Sequence, residues 1–368
     1  MGIGLYIHIP FCKRKCPYCD FYSLEYEDSL ADGYIKAVLR NIEHYGEIYG
    51  KIEADTIYFG GGTPSLLKPE MFGEILEKTA KTFILKSREI SLEANPCTVS
   101  LQKLKDLYRV GFNRISFGVQ SLCDNELKLL GRLHDSKTAI KAIENADSAG
   151  FKDISADLML GIIGQDIYSL DNNIKKLTQL PLTHISAYML KVEQGTAYDT
   201  PKIYEQIPDE DMVADLYLHT IEALEIAGFP QYEISNFSRK GYECKHNLHY
   251  WRCEEYIGIG PSAHSFFGGK RYAVPRSLND FIDDEFQNEQ MTDENPASFS
   301  EYAMLQIRLI EGLNLEFCRD KYFVNIEEIL EKSMHLEKNG LMKIQNNRII
   351  LTPKGCLVSN QIIGRLFL

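Results

Sequence analysis

Cys12, Cys16 and Cys19 stand in one short segment, Phe-Cys-Lys-Arg-Lys-Cys-Pro-Tyr-Cys-Asp-Phe, with the spacing C-x3-C-x2-C. Three thiolates on one loop can hold three corners of an iron–sulfur cube. A cubane takes one ligand per iron, so such a loop leaves the fourth iron open to a ligand that is not protein. Other readings compete. A zinc knuckle wants four closed ligands, commonly as two pairs from separate places. His8 is the nearest candidate for a fourth, but it lies in a strand-like run where a packed histidine is the ordinary outcome. A disulfide belongs to oxidising compartments, and this chain reads as intracellular.

Further patterns offer groups suited to a small charged ligand. In Gly60-Gly61-Gly62-Thr63-Pro64 the glycines let backbone amides approach a ligand with no Cβ in the way, although a plain tight turn gives the same pattern. Glu93 ends a strand-like run in Ser-Leu-Glu-Ala-Asn-Pro. A carboxylate facing a cavity there needs a partner, such as a ligand ammonium or a ribose hydroxyl; a surface or ion-paired glutamate is the plainer reading. Gln120 ends another run, Arg132 follows in Leu-Gly-Arg-Leu-His, and Asp157 interrupts an apolar strand. Charges in buried strands are seldom accidental. Arg132 could grip a carboxylate through two parallel hydrogen bonds, or pair with Asp157 to close the fold. Cys244, His246, His249 and Cys253 suggest a metal knuckle, but the one-residue gap between the first two is too tight for ordinary zinc spacing. Lys13-Arg14-Lys15 reads as a solvated basic stretch or a contact for an electron donor.

The elements that must position these groups alternate in type. Strand-like runs fall at Leu5–Ile9, Thr56–Phe59, Glu89–Glu93, Arg114–Val119, Ile154–Leu160 and His184–Leu190. Helical periodicity fills the gaps at Ser29–Tyr45, Pro69–Thr82, Leu101–Tyr108, Ser136–Ala149 and Ile167–Leu180, and again at Glu210–Ala227. Gly111, Gly150 and Gly228 each follow a helix and precede phenylalanine, which predicts left-handed C-caps with the aromatic packing back. Six strand–helix units predict an α/β fold with a parallel sheet and right-handed crossovers. A partial barrel is favoured over a doubly wound sheet: candidate ligand groups follow almost every strand, and the first loop lacks a dinucleotide fingerprint. Residues 1–228 would form this barrel. Residues 229–295, rich in aromatics, glycine and histidine, would cover its mouth, with an acidic connector at 279–295. Residues 296–368 read as helix, helix and β-ribbon, a winged-helix-like α+β domain. A formal net charge of −12 argues against a general affinity for nucleic acid or anionic lipid. No apolar run reaches membrane-spanning length, which leaves peripheral contact open, and the N-terminus does not read as a signal peptide. The expected compartment is the cytoplasm, with Cys97, Cys123, Cys318 and Cys356 as reduced structural thiols.

The cysteine loop, with Tyr18 just before its last cysteine, resembles the signature of the radical S-adenosylmethionine (SAM) enzymes. That resemblance implies a (β/α)6 partial barrel and a [4Fe–4S] cluster whose open iron chelates the amino and carboxylate groups of SAM, which the reduced cluster cleaves to a 5′-deoxyadenosyl radical. It also implies SAM contacts from Tyr6, Tyr18, Gly61, Gly62, Thr63, Glu93, Gln120, Arg132 and Asp157. The runs Tyr-Ile-His-Ile-Pro-Phe-Cys and Phe-Asn-Arg-Ile-Ser-Phe-Gly-Val-Gln are similar to oxygen-independent coproporphyrinogen III oxidase and to its non-oxidase relatives, the HemW-like haem chaperones. Three features side with the chaperones. Phe21 stands where the oxidases carry a further cysteine, the N-terminal extension of the oxidases is missing, and His246-Asn247-Leu248-His249-Tyr250-Trp251 matches the chaperones' H-N-x-x-Y-W motif. Imidazole ligates haem iron, and tyrosine and tryptophan offer flat apolar surface, so His246 is the first candidate haem ligand, with His249, Cys244 and His264 behind it. The implied role is delivery of haem to haem-requiring proteins such as respiratory enzymes, with flavodoxin as a candidate electron donor and a homodimer in the cluster-loaded state. Such a role does not require turnover, so the sequence leaves enzymatic activity undecided, while the three departures count against an oxidase.

Overall fold

The computed structural model describes residues 2–283, 289–293 and 295–367, apart from the side chains of residues 87 and 88. Six parallel strands carry the fold: β1 (Ile3–Ile9), β2 (Glu53–Gly61), β3 (Ile84–Ala94), β4 (Arg114–Gln120), β5 (Asp153–Leu160) and β6 (His184–Met189). The crossover helices used below are α1 (Asp28–Tyr49), α2 (Pro69–Thr82), α3 (Leu101–Val110), α4 (Ser136–Ala149) and α5 (Ile167–Thr178), followed by α6 (Glu210–Ile226). Among the buried residues of α1, Ala31, Tyr34, Val38, Ile42 and Tyr45 recur every three or four positions, and with Ile35 and Ala37 beside them they make one apolar stripe. The predicted Gly-Phe caps are present. Phe112, Phe151 and Phe229 each donate their amide to the carbonyl five residues back, and all three rings are buried. Gly111, Gly150 and Gly228 supply the positive φ that this closure demands.

The sheet is open and twelve-stranded rather than closed. Residues 229–295 extend both edges of the sheet, and part of them reaches the end that carries the cysteine loop, where Leu278 N–H bonds Tyr22 OH at 2.9 Å. On one side β7 (Gln231–Glu233) and β8 (Asn236–Ser238) extend the β6 edge. On the other, β9 (Tyr256–Ile259) pairs in parallel with β1, and β10 (His264–Phe267), β11 (Lys270–Ala273) and β12 (Gln290–Asp293) continue outward. β9 is buried along its whole length, and its backbone is paired with β1 on one side and with β10 on the other. Helix α7 (Lys245–Trp251) plugs the opposite, N-terminal end of the strands. The connector proposed for 279–295 contributes strand β12; its residues 284–288 and 294 lie outside the described residues.

The C-terminal region is the expected winged-helix-like unit: α8 (Phe299–Gln306), β13 (Leu313–Asn314), α9 (Leu315–Tyr322), α10 (Ile326–Lys338), β14 (Met342–Gln345), β15 (Arg348–Leu351) and α11 (Ser359–Phe367), with sheet order β13-β15-β14. Asn346 and Asn347 both take positive φ, the tight turn that matches strand twist. All nine cysteines are free. Cys318 and Cys356 are buried as expected, whereas Cys97 is exposed.

Candidate cofactor site

The cysteine loop leaves β1 at the C-terminal end of the sheet, where the first crossover must begin. Its base is pinched by Leu24 N–H to Pro10 O (2.7 Å) and Tyr26 N–H to Cys12 O (3.1 Å). Its far side is clamped by Arg14 Nη2 to Gly131 O (2.7 Å) and Tyr198 N–H to Pro17 O (3.0 Å). All three thiols are partly exposed. Burial pushes the Cys19 thiol up, and negative charge on Cys16 or Cys12 adds to that. Three thiolates held this close repel one another and need added positive charge, which a metal supplies. Among the described residues no three His, Cys, Asp or Glu side chains converge on a site for a single ion. His8 is no fourth ligand: its Nδ1 is bonded to Tyr6 OH and its Nε2 to Tyr22 O, each at 3.0 Å.

Arg132 reaches the loop from the turn after β4. Nη1 lies 3.5 Å from Cys16 Sγ and 3.4 Å from Tyr18 OH, and Nη2 donates to Gly118 O at 2.6 Å. Burial works against its charge, but Tyr18 and Cys16 hold it in place. Nε is buried without a partner among the described residues. Among the described residues no carboxylate hydrogen-bonds this partly buried guanidinium, so it is suited to an anion. The alternative of an Arg132–Asp157 pair is not what forms.

Glu93 and Asp157 approach the same space from β3 and β5. Burial raises the Glu93 carboxyl to about 7, partly offset by the Tyr58 hydroxyl that donates to Oε1 (2.8 Å) and the Gly61 amide that donates to Oε2 (3.1 Å). Asp157 is raised to about 6, again by burial, with Ser186, Arg114, Arg132 and Ser116 opposing. Burial outweighs these neighbours at both carboxyls, so the pair favours a positively charged ligand. The glycine turn does not present free amides, as the sequence had suggested. Gly62 N–H bonds Ile9 O (2.8 Å), Thr63 N–H bonds Phe11 O (2.6 Å), and Gly61 N–H serves Glu93. Ammonium recognition by this turn would therefore use carbonyl acceptors. A Cβ on Gly62 would lie 2.6 Å from Phe11 O, so glycine is needed to seat the turn against the loop. Thr63 Oγ1 lies 3.4 Å from Cys12 Sγ. Gln120 takes φ +68° at the end of β4. That conformation costs a non-glycine residue about 1 kcal/mol or more, which marks the position as constrained. Tyr6 sits deeper, in a stack with Tyr58 (centroids 6.2 Å) and His246 (6.3 Å). Tyr58 was not singled out in the sequence; its only signal was its place with Thr56 and Gly60 on one face of β2.

The H-N-x-x-Y-W segment lies at the other end of the sheet, as α7. Glu89 accepts from the amides of Lys245 (2.9 Å) and His246 (3.2 Å) and so caps the helix. His246 is fully buried, with Nδ1 bonded to Thr56 Oγ1 (2.9 Å) and Nε2 to Tyr250 OH (2.7 Å). A haem ligand needs a free ring nitrogen, and His246 has none, so its candidacy is withdrawn. His249 is held between Asp55 (2.9 Å) and Glu254 (2.8 Å). The Cys244 thiol is buried against Glu89 and pushed far above its ordinary range by that burial. His264 alone of the four candidates is exposed.

Comparison with known proteins points the same way as these geometries. Residues 6–177 match the Radical SAM superfamily and 298–358 the HemN C-terminal domain. The "Heme chaperone HemW" of Bacillus subtilis (strain 168) is 33% identical over 98% of this chain and 97% of its own length. The protein of the same name from Escherichia coli (strain K12) is 35% identical over 84% of this chain and 83% of its own. Coproporphyrinogen III oxidase (HemN) of Escherichia coli superposes with a TM-score of 0.83, covering 100% of this chain and 90% of that one, at 22% identity, which speaks for the fold alone.

Proposed function

The chain belongs to the HemW family of haem chaperones within the radical SAM superfamily, and from that premise we propose that it binds haem and hands it to haem-requiring proteins. The family implies a [4Fe–4S] cluster and SAM. Cys12, Cys16 and Cys19 would hold the cluster. Arg132 would take the SAM carboxylate. Glu93 and the carbonyls of the Gly61–Thr63 turn would take its ammonium, while Asp157 and Gln120 serve the ribose, and Tyr18 and Tyr6 flank the site. When bound, the reduced cluster supplies an electron to the sulfonium. The residues of this chain orient the ligand, neutralise its charges and keep Arg132 against Cys16.

The observation that supports the cofactor assignment is the partly buried Arg132 guanidinium, which reaches the Cys16 thiol and whose Nε has no partner among the described residues. The carrier role is supported by similarity to haem chaperones over nearly the whole chain and by Phe21 in place of a further loop cysteine. Respiratory enzymes are the acceptors we favour. The basic residues Lys13, Arg14 and Lys15 line a 390 Å³ depression with Cys12, Ser23, Leu24 and Glu25, a surface suited to an acidic electron donor such as flavodoxin. No described helix is long and apolar enough to cross a membrane.

Anaerobic reconstitution followed by haemin titration tests this. The wild type should take up iron and sulfide with broad brown absorption, and Cys16→Ser should lose it. The reconstituted protein should bind haemin stoichiometrically and leave coproporphyrinogen unchanged in the presence of SAM and reductant. Conversion of propionates to vinyl groups would establish the oxidase instead.

A further inference from the structure

We infer that Glu233 is held as a neutral carboxylic acid, paired at two points with the Asn236 amide, and that this one proton latches the C-terminal unit to the edge of the sheet. The seam between the two parts is thereby a proton-sensitive joint that loosens when Glu233 ionises. The joint works without haem or SAM, so it stands apart from the cofactor assignments above.

Glu233 closes β7 and is fully buried. Its Oε1 accepts from the Asn236 side-chain amide and from Ser235 N–H (3.1 Å). Glu233 Oε2 and Asn236 Oδ1 are both buried without a partner among the described residues. Two acceptors are thus unmet on a pair already joined through its other atoms, and an unmet buried acceptor is costly. One proton on Oε2 answers both: Oε2–H donates to Oδ1 while Nδ2–H donates to Oε1. As a carboxylate, Glu233 would instead be a buried charge with no cation bonded to it. Arg308 faces it, but that guanidinium donates to Met304 O (2.8 Å) and Asn360 Oδ1 (3.0 Å). The other titratable neighbours are neutral. Burial pushes up the hydroxyls of Tyr188 on β6, Tyr217 on α6 and Tyr232 on β7, and takes the Cys356 thiol of the C-terminal unit to about 11. Burial likewise raises the Glu233 carboxyl to about 7, against the opposing Asn236 side chain, the Ser235 and Asn236 amides and Arg308.

What Glu233 holds is the docking edge. Tyr232 O accepts from Ile310 N–H (3.0 Å), and Glu233 itself pairs with Leu309 in an antiparallel bridge. On the sheet side Tyr217 OH donates to Ile234 O (2.7 Å), and Asn236 pairs with Ser186 of β6. The backbone from Tyr232 to Asn236 is therefore the strip through which α6 and β6 grip the segment after α8. The Glu233–Asn236 contact folds that strip into the β7–β8 hairpin, where the two residues stand opposite each other. Ionisation removes the Oε2–H···Oδ1 bond and places a charge beside the bridge to Leu309. Because the carboxyl is raised in the fold, the latch is whole below the ordinary 4.5 and is lost as pH rises through about 7.

The test is hydrogen exchange on the reconstituted full chain without SAM, comparing protection at about pH 6 and about pH 8 after correction for intrinsic rates. In the wild type the peptide carrying the Ile310 amide should lose about tenfold in protection over that interval, the factor expected one unit above the pKa. Glu233→Gln presents the acid's pattern permanently, since its Nε2–H can donate to Asn236 Oδ1 while Oε1 accepts from Nδ2. It should keep the wild-type protection of about pH 6 at both pH values. Asn236→Ala, which removes the partner, should lower protection already at about pH 6. Glu93→Gln should keep the wild-type response, which separates the two raised carboxyls. Wild-type protection that does not change between the two pH values overturns the latch. So does a Glu233→Gln chain that responds to pH like the wild type, or that is less stable than the wild type at about pH 6.

Discussion

At the scale of single residues the site is governed by carboxyls whose pKa values are raised by burial. Glu93 has a folded-state pKa of about 7 against an ordinary 4.5, because burial penalises the carboxylate. A group raised in the fold favours the native state while protonated, so the ligand-free protein loses stability as pH rises from 4.5 through about 7. Ligand binding has the opposite slope. A SAM ammonium needs the carboxylate, so SAM affinity should rise from about pH 6 to about pH 8 and release a proton. Isothermal titration in two buffers of different ionisation heat measures this. Glu93→Gln should flatten the profile, and Tyr58→Phe, which removes a hydrogen bond that lowers the pKa, should move it to higher pH. A flat wild-type profile would remove Glu93 from the ammonium site. The cysteines, Glu93 and Arg132 stood out in the sequence because each sits in a short, unusual local pattern, and the structure gathers them at one end of the sheet. Tyr58 and the occupancy of His246 were not: the bonds that decide them join Tyr58 to Glu93, and His246 to Thr56, across long stretches of chain.

At the scale of elements, the alternation of strand and helix was readable because each strand is a local apolar run and each helix a local stripe. The placement of α7 was not readable, since a short helix can plug either end of a sheet. What fixes it at the N-terminal end is a set of contacts from β2 and β3: Glu89 capping its first amides and Asp55 bonded to His249. The His249 pKa is raised, as burial is outweighed by Glu254 and Asp55. A raised histidine contributes stability that is full below its unfolded pKa of 6.5 and lost as pH rises through the folded value. His249→Ala should therefore cost about 1–3 kcal/mol near pH 6, by leaving two carboxylates unpaired. The cost should shrink at alkaline pH, where the wild type has lost the same charge. Urea denaturation at both pH values checks this, and an equal cost at both would assign His249 a packing role only.

At the scale of the whole molecule, the sequence boundary near residue 296 marks a change of pattern and not a change of core. The buried apolar cluster runs without a break from β1 to Phe367 and takes in Leu313, Ile349 and Leu351 of the C-terminal unit. Backbone contacts cross the boundary as well: Ile310 N–H bonds Tyr232 O at 3.0 Å, and Glu233 pairs with Leu309. Trp251, the sole tryptophan, reports on this seam. Its carbonyl accepts from Gln306 Nε2 at 3.0 Å, and the Arg308 guanidinium stands 5.9 Å from its ring centroid. A shared core unfolds as one unit when separating its parts would expose apolar surface on both sides. Tryptophan fluorescence, which reads the seam, and far-ultraviolet circular dichroism, which is dominated by the barrel helices, should therefore share one midpoint in urea. Gln306→Ala should shift both midpoints together toward lower urea. A fluorescence transition that precedes the loss of helix would mean that the C-terminal unit detaches first, and the plugged end of the barrel, α7 included, would then be a hinge between two separately stable bodies.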